Sequence, residues 1–125
     1  LDAGRTPRLL LPNPDLIYPR SETAFGFTAG SIAAMFEAAL AQRYPGRDEL
    51  TFERLGKPET PIFTRALQRA GTDSAVMVGD QLRTDILGAN RAGIPSALVC
   101  TWLASLDPAE LARIPPRYLL RSIAP

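Results

Sequence analysis

The sequence predicts an α/β fold built on a mostly parallel sheet. Three observations predict it. Short apolar runs of strand length alternate with longer runs of helical periodicity. Glycines follow the helical runs, and prolines stand at the start of two of them. One apolar strand delivers Gly79-Asp80 at its carboxyl end, where open α/β sheets bind ligands.

Taken in order, Leu1-Asp2-Ala3-Gly4 reads as the last turn of a helix closed by glycine, and a helix represented only by its end predicts that sequence precedes it. Arg8 to Leu11 reads as a short buried strand, followed by the turn-rich Pro12-Asn13-Pro14-Asp15. A helix is expected from Gly30 to Arg43, with Ile32, Met35, Phe36, Ala39 and Leu40 on one apolar face, ended by Pro45 and Gly46. Thr51 to Leu55 is a second strand that runs into Gly56-Lys57-Pro58. The next helix has Thr60 as cap, Pro61 in the first turn and Gly71 after the last, with Phe63, Ala66, Leu67 and Ala70 as its apolar face. Ala75 to Val78 is a strand ending in Gly79-Asp80. A helix from Thr84 to Ala92 stops at Gly93, and Ser96 to Cys100 is another strand. Asp107 caps a further helix, with Glu110 placed to complete a capping box. Tyr118 to Leu120 closes the series as a final strand.

Composition narrows the chemistry. The 125 residues are 46% hydrophobic, enough for one globular unit or a piece of a larger one. A net charge of +1, with Lys and Arg scattered, gives no footprint for nucleic acid. No apolar run approaches the ~18–20 residues of a membrane span, and Leu1 to Arg5 has no signal-peptide pattern. A single cysteine forms no internal disulfide, so a cytoplasmic protein is expected. There is no histidine, which removes Ser-His and Cys-His chemistry and His-ligated zinc. Carboxylates, Lys, Arg and hydroxyls remain.

The strongest local signal is Val76 to Asp85. Gly79 allows a tight backbone path out of the strand, and Asp85, five residues after Asp80, opens the next helix, so both carboxylates reach one crevice. Two hard oxygen donors, completed by waters and a substrate phosphate, suit Mg²⁺. The competing reading is structural: Asp80 makes a turn, and Asp85 complements the helix dipole. Lys57, at a strand's carboxyl end between Gly56 and Pro58, is either a point charge for phosphate or a surface lysine in a turn. Cys100, Phe25, Phe27 and Phe36 read as packing residues, and Arg83 as an exposed arginine, solvated or touching substrate or a partner.

Leu55-Gly56-Lys57-Pro58, then Met77 to Ile86 and Ala92-Gly93-Ile94, resemble the third and fourth motifs of haloacid dehalogenase-type phosphatases. The likeness is to the subfamily with an inserted α/β cap, the nitrophenylphosphatase and phosphoglycolate phosphatase group. Asn13-Pro14-Asp15 is similar to a loop of that cap. Leu98 to Thr101 with Ser105-Leu106-Asp107 looks like the last core strand and tail. The resemblance implies residues 1–50 as the end of a cap domain and 51–125 as the second half of a Rossmann-like core. It implies a Mg²⁺-dependent phosphatase acting on small phosphorylated metabolites through an aspartyl-phosphate intermediate. Asp80 would ligate the metal, and Lys57 would neutralise phosphoryl charge. Asp85 would bind through water or orient Lys57, and Asn13 and Asp15 would lie near the substrate.

Two departures qualify this. The family's Asp-x-Asp-Gly motif and the Ser or Thr of its second motif are absent, and Asp2 does not substitute, having no strand before it and no second Asp two residues on. Covalent catalysis then has no nucleophile in this chain, which alone is expected to be inactive. Trp102 stands where the family has a glycine, at the rim of the implied site. The alternative is a non-catalytic binding or assembly module that retains the metal loop, associating with itself or with a missing N-terminal half. A receiver-like domain ranks third, since receivers place the phosphorylated Asp before the Lys.

Overall fold

A computed structural model of the chain describes residues 4–21, 23–101, 104 and 106–123. The expected helix end at Leu1–Ala3, Trp102 and Ser105 lie outside the described residues. The chain divides into two compact units, Leu1–Gly56 and Lys57–Pro125.

In the first unit, β1 (Leu10–Leu11) pairs in parallel with β4 (Glu53–Arg54). The ladder extends through Glu53 N to Leu9 O at 2.9 Å and Leu55 N to Leu11 O at 3.0 Å. The strand expected at Thr51–Leu55 thus pairs with residues of the first unit, and the division falls after Gly56. An antiparallel hairpin joins β2 (Ile17–Pro19) to β3 (Phe25–Phe27) and leads into α1 (Ala29–Arg43). The Glu37 carboxylate of α1 accepts from Phe52 N at 2.8 Å, tying helix to strand.

Helix α1 corrects one expectation. Its Ile32, Met35 and Phe36 are 50%, 65% and 57% exposed, whereas Gly30 and Ala33 are buried. Gly30 sits against the carbonyls of Pro14 and Asp15, an approach no side chain permits, so the helix packs by its small residues. Phe25 and Phe27 are likewise exposed and meet edge to face with ring centroids 5.9 Å apart. All three phenylalanines expected as packing residues therefore stand at the surface.

The second unit holds a three-stranded parallel sheet in the order β5 (Met77–Gly79), β6 (Ser96–Val99), β7 (Tyr118–Leu120). Central β6 is buried along its whole length, as a strand between two parallel neighbours should be. Helix α2 (Thr60–Ala70) begins one residue earlier than its sequence suggests: Thr60 is its first helical residue and Glu59 the cap position. Its Phe63 is buried and Leu67 half-buried, while Ala66 and Ala70 are exposed. Gly71 takes the left-handed conformation (φ 65°) that ends it.

After β5, a π-helical turn (Leu82–Ile86) runs into α3 (Leu87–Arg91), and α4 (Pro108–Arg113) follows β6. Phe63, Ala89 and Ile94 form one apolar cluster, and Leu82, Ile86 and Leu98 another. Asp107 caps α4 by accepting from Ala109 N at 3.0 Å. Among the described residues, no helix is long and apolar enough to cross a membrane.

One polar tie holds the amino-terminal side of this sheet. The fully buried Ser96 donates its hydroxyl to Asn90 Oδ1 at 3.1 Å, and Asn90 Nδ2 donates to Pro115 O at 3.0 Å. Asn90→Ala should cost about 1–2 kcal/mol in urea denaturation, because Ser96 loses its acceptor in the interior. A change below about 0.3 kcal/mol would show that Ser96 finds another.

Candidate functional site

Strand β5 ends at Gly79, and the chain turns at Asp80 into the π-helical turn. Leu82 and Ile86 anchor that turn in the apolar cluster beneath, and Asp85, between them in sequence, is 3% exposed. Its Oδ2 accepts from the amides of Asp80 at 3.1 Å and Gln81 at 3.2 Å. Its Oδ1 accepts from the Lys57 ammonium. One buried carboxylate therefore holds the Asp80 loop and Lys57 together. The Lys57–Pro58 peptide is cis, and the Lys57 side chain remains partly exposed.

Gly79 has a role other than the one its sequence suggests. It is not among the glycines with positive φ, so backbone freedom is not what it supplies. A Cβ built on it would fall on the Asp85 carboxylate. The glycine makes room for Asp85 to fold back over the strand end.

Asp80 is half-buried and accepts from the Thr101 hydroxyl through Oδ2 at 2.9 Å. A cleft of about 380 Å³ opens at the carboxyl ends of β5, β6 and β7, lined by Asp80, Thr101, Arg121 and Ser122 beside Val78, Val99 and Ile123. Cys100, expected in the core, is half-buried and lines the same cleft. Arg83 is tied to Glu110 of α4, with Nε to Oε1 at 3.0 Å, and that hydrogen bond pushes the guanidinium pKa further up. It joins the π-helical turn to α4.

Of the residues singled out in the sequence, Lys57, Asp80 and Asp85 come together in the second unit. Asn13 and Asp15 belong to the first unit. Asn13 Oδ1 accepts from Asp15 N at 3.1 Å, an Asx turn. The Asp15 carbonyl accepts from Gly30 N at 3.0 Å and from the Thr28 hydroxyl, fixing the entry to α1. Thr101 and Arg121 were not marked by the sequence. They reach the cleft because β6 and β7 lie next in order to β5, and a lone Thr or Arg near a strand end carries little signal of that.

The donor set fits a hard cation in part. Asp80 presents a carboxylate at the cleft, while both oxygens of Asp85 are engaged. Among the described residues no three Asp, Glu, Cys or His side chains gather into one metal-binding group. One carboxylate with waters and phosphate oxygens is an ordinary share of a Mg²⁺ shell, since that ion keeps several waters.

The family described as HAD-hydrolase-like matches residues 54–125. The dihydroxyacetone phosphatase of Corynebacterium glutamicum is 33% identical over 122 residues, covering 94% of this chain and 40% of that protein. A thermostable NPPase from Geobacillus stearothermophilus superposes with a TM-score of 0.71 at 29% identity, over 92% of this chain and 42% of that one. A glycerol phosphate phosphatase from Mycobacterium tuberculosis, solved in complex with magnesium, gives a TM-score of 0.65 at 29% identity, over 94% of this chain and 33% of that one. The chain thus spans about 40% of the length of the curated relative.

Proposed function

The chain belongs to the HAD-hydrolase-like family, and on that premise we propose that Lys57, Asp80 and Asp85 form the charge-neutralising part of a phosphomonoesterase site for small phosphorylated metabolites. The observation that carries this reading is the Asp85 clamp, which fixes a cation and a carboxylate-bearing loop at one strand end. Lys57, held through one N–H, keeps two further donors for phosphoryl oxygens. Asp80 is the metal ligand, and Mg²⁺ bound there would supply Lewis-acid stabilisation of the charge that develops on phosphorus and its oxygens. Asp85 orients Lys57 and stiffens the loop.

The displacement at phosphorus runs through an aspartyl phosphate. Its nucleophile and general acid come from an Asp-x-Asp pair that these residues do not contain. Asn13 and Asp15 help select the substrate; in support, no hydrogen bond or ion pair engages the Asp15 carboxylate among the described residues. Two relatives that act on dihydroxyacetone phosphate and glycerol phosphate favour a small phosphate monoester. The exposed apolar side chains of α1 and the hairpin support pairing with a segment that carries the nucleophile, or self-association. The same reading puts the protein in the cytoplasm, as the single cysteine suggests.

The test is a chimera in which this chain replaces the matched segment of the dihydroxyacetone phosphatase. It should hydrolyse phosphate monoesters with Mg²⁺, and Lys57→Ala or Asp80→Ala should each lower kcat/KM by at least about 100-fold. Turnover in the Asp80→Ala chimera that stays within a few-fold of the parent would sink the site assignment. The isolated chain should give no magnesium-dependent hydrolysis of an aryl phosphate. Turnover that vanishes in its Asp80→Ala variant would mean that it holds a nucleophile of its own.

A further inference from the structure

We propose that Thr101 is a positioning residue that sets the carboxylate plane of Asp80, an inference that rests on Asp80 being the metal ligand. Two backbone hydrogen bonds put it there. Cys100 N is held by Leu120 O of β7 at 2.8 Å. Thr101 N bonds Val99 O at 2.9 Å, closing a three-residue γ-turn centred on Cys100. The backbone therefore leaves the line of β6 at its carboxyl end and swings Thr101 towards β5. From there the hydroxyl donates to Asp80 Oδ2 at 2.9 Å.

The consequence for Asp80 is geometric. Its backbone is fixed from one side, because its amide donates to Asp85 Oδ2. The side chain is left free to turn about both of its torsions, the last of them a broad and soft coordinate. The Thr101 hydroxyl removes that freedom. With Oδ2 accepting from Thr101, Oδ1 is the less engaged oxygen and the one offered to a cation. Asp85 positions the loop from the π-helical turn after β5, and Thr101 positions the ligand atom from the segment after β6.

Mn²⁺ serves as the probe, titrated calorimetrically into the intact chain and its variants. Thr101→Val keeps the shape and removes the donor, and should weaken Mn²⁺ binding by about 10-fold. Thr101→Ser keeps the donor and should stay within about 3-fold. Equal affinity for the Val variant and the parent overturns the proposal. So does a Ser variant as weak as Val, which would assign the effect to packing. Asp80→Ala separates the premise from the inference: undiminished Mn²⁺ binding in that variant sinks the ligand reading instead. A metal-free crystal structure of Thr101→Val decides the positioning role even where Mn²⁺ does not bind. An Asp80 carboxylate turned from its plane in the parent supports the role, and an unturned one refutes it.

Discussion

Asp85→Asn is expected to destabilise the second unit by about 2–4 kcal/mol and to release Lys57. The substitution keeps shape and volume, so the loss isolates hydrogen bonding and charge. Asp85 accepts on both oxygens, from two backbone amides on one side and an ammonium on the other. An asparagine has one oxygen and one NH₂ group. If its oxygen faces the amides of Asp80 and Gln81, its NH₂ faces the Lys57 ammonium. If it flips, the NH₂ faces two amide N–H groups. Either way a buried donor confronts a donor.

The ion pair contributes the smaller share, because Lys57 is partly exposed and water screens it. The amides contribute the larger, since the carboxylate they bond is 3% exposed. Urea denaturation followed by circular dichroism measures the change, with an unaltered m-value showing that the folded and unfolded states are otherwise the same. A loss under about 0.5 kcal/mol would mean that the clamp is not what holds the loop.

The parts of the fold that follow from near neighbours in sequence were legible. Gly71 and Gly93 end α2 and α3 in the left-handed conformation, with φ of 65° and 71°, and Asp107 caps α4. The alternation of apolar runs gave the α/β class and the parallel sheet of the second unit. What depends on partners distant in sequence was not legible. The apolar periodicity of α1 identified a helix correctly but not the side it buries, because Gly30 meets the Pro14 and Asp15 carbonyls. Glu110 stands at capping-box spacing, yet its carboxylate accepts from Arg83, which lies 27 residues earlier.

The candidate site divides the same way. Lys57, Asp80 and Asp85 were singled out because strand, glycine and a charged residue follow one another locally. The sequence left two roles open for Asp85, binding through water or orienting Lys57. Its buried Oδ1 accepts from the Lys57 ammonium, the contact on which the proposal of the second role rests. Thr101 depends on a γ-turn after β6 and on the β5–β6 register, which pairs Gly79 with Leu98. No local pattern encodes that.

Gly79 and Gly93 make a matched pair in which identical substitutions should differ in size and in kind. Gly93→Ala places a methyl in open space but on a backbone with φ of 71°, so its cost is conformational, about 1–2 kcal/mol. Gly79→Ala meets no such strain and instead drives a methyl into the Asp85 carboxylate. The neighbour that must yield is buried and bonded on both sides, so it cannot swing away as the tip of a surface side chain would. Overpacking at such a site costs about 1–3 kcal/mol, and displacing Asp85 adds the loss of its amide bonds.

Gly79→Ala should therefore be the more destabilising of the two, by about 1–2 kcal/mol or more in urea denaturation. Amide exchange separates the mechanisms. The Asp80 and Gln81 amides, protected by Asp85 Oδ2, should exchange faster in Gly79→Ala, relative to the core strands, and keep their protection in Gly93→Ala. Equal stability loss with the loop amides still protected in both would show that Gly79 serves the backbone path, as the sequence first suggests. Faster exchange confined to the Gly79 variant would show that this glycine is there to make room for a carboxylate.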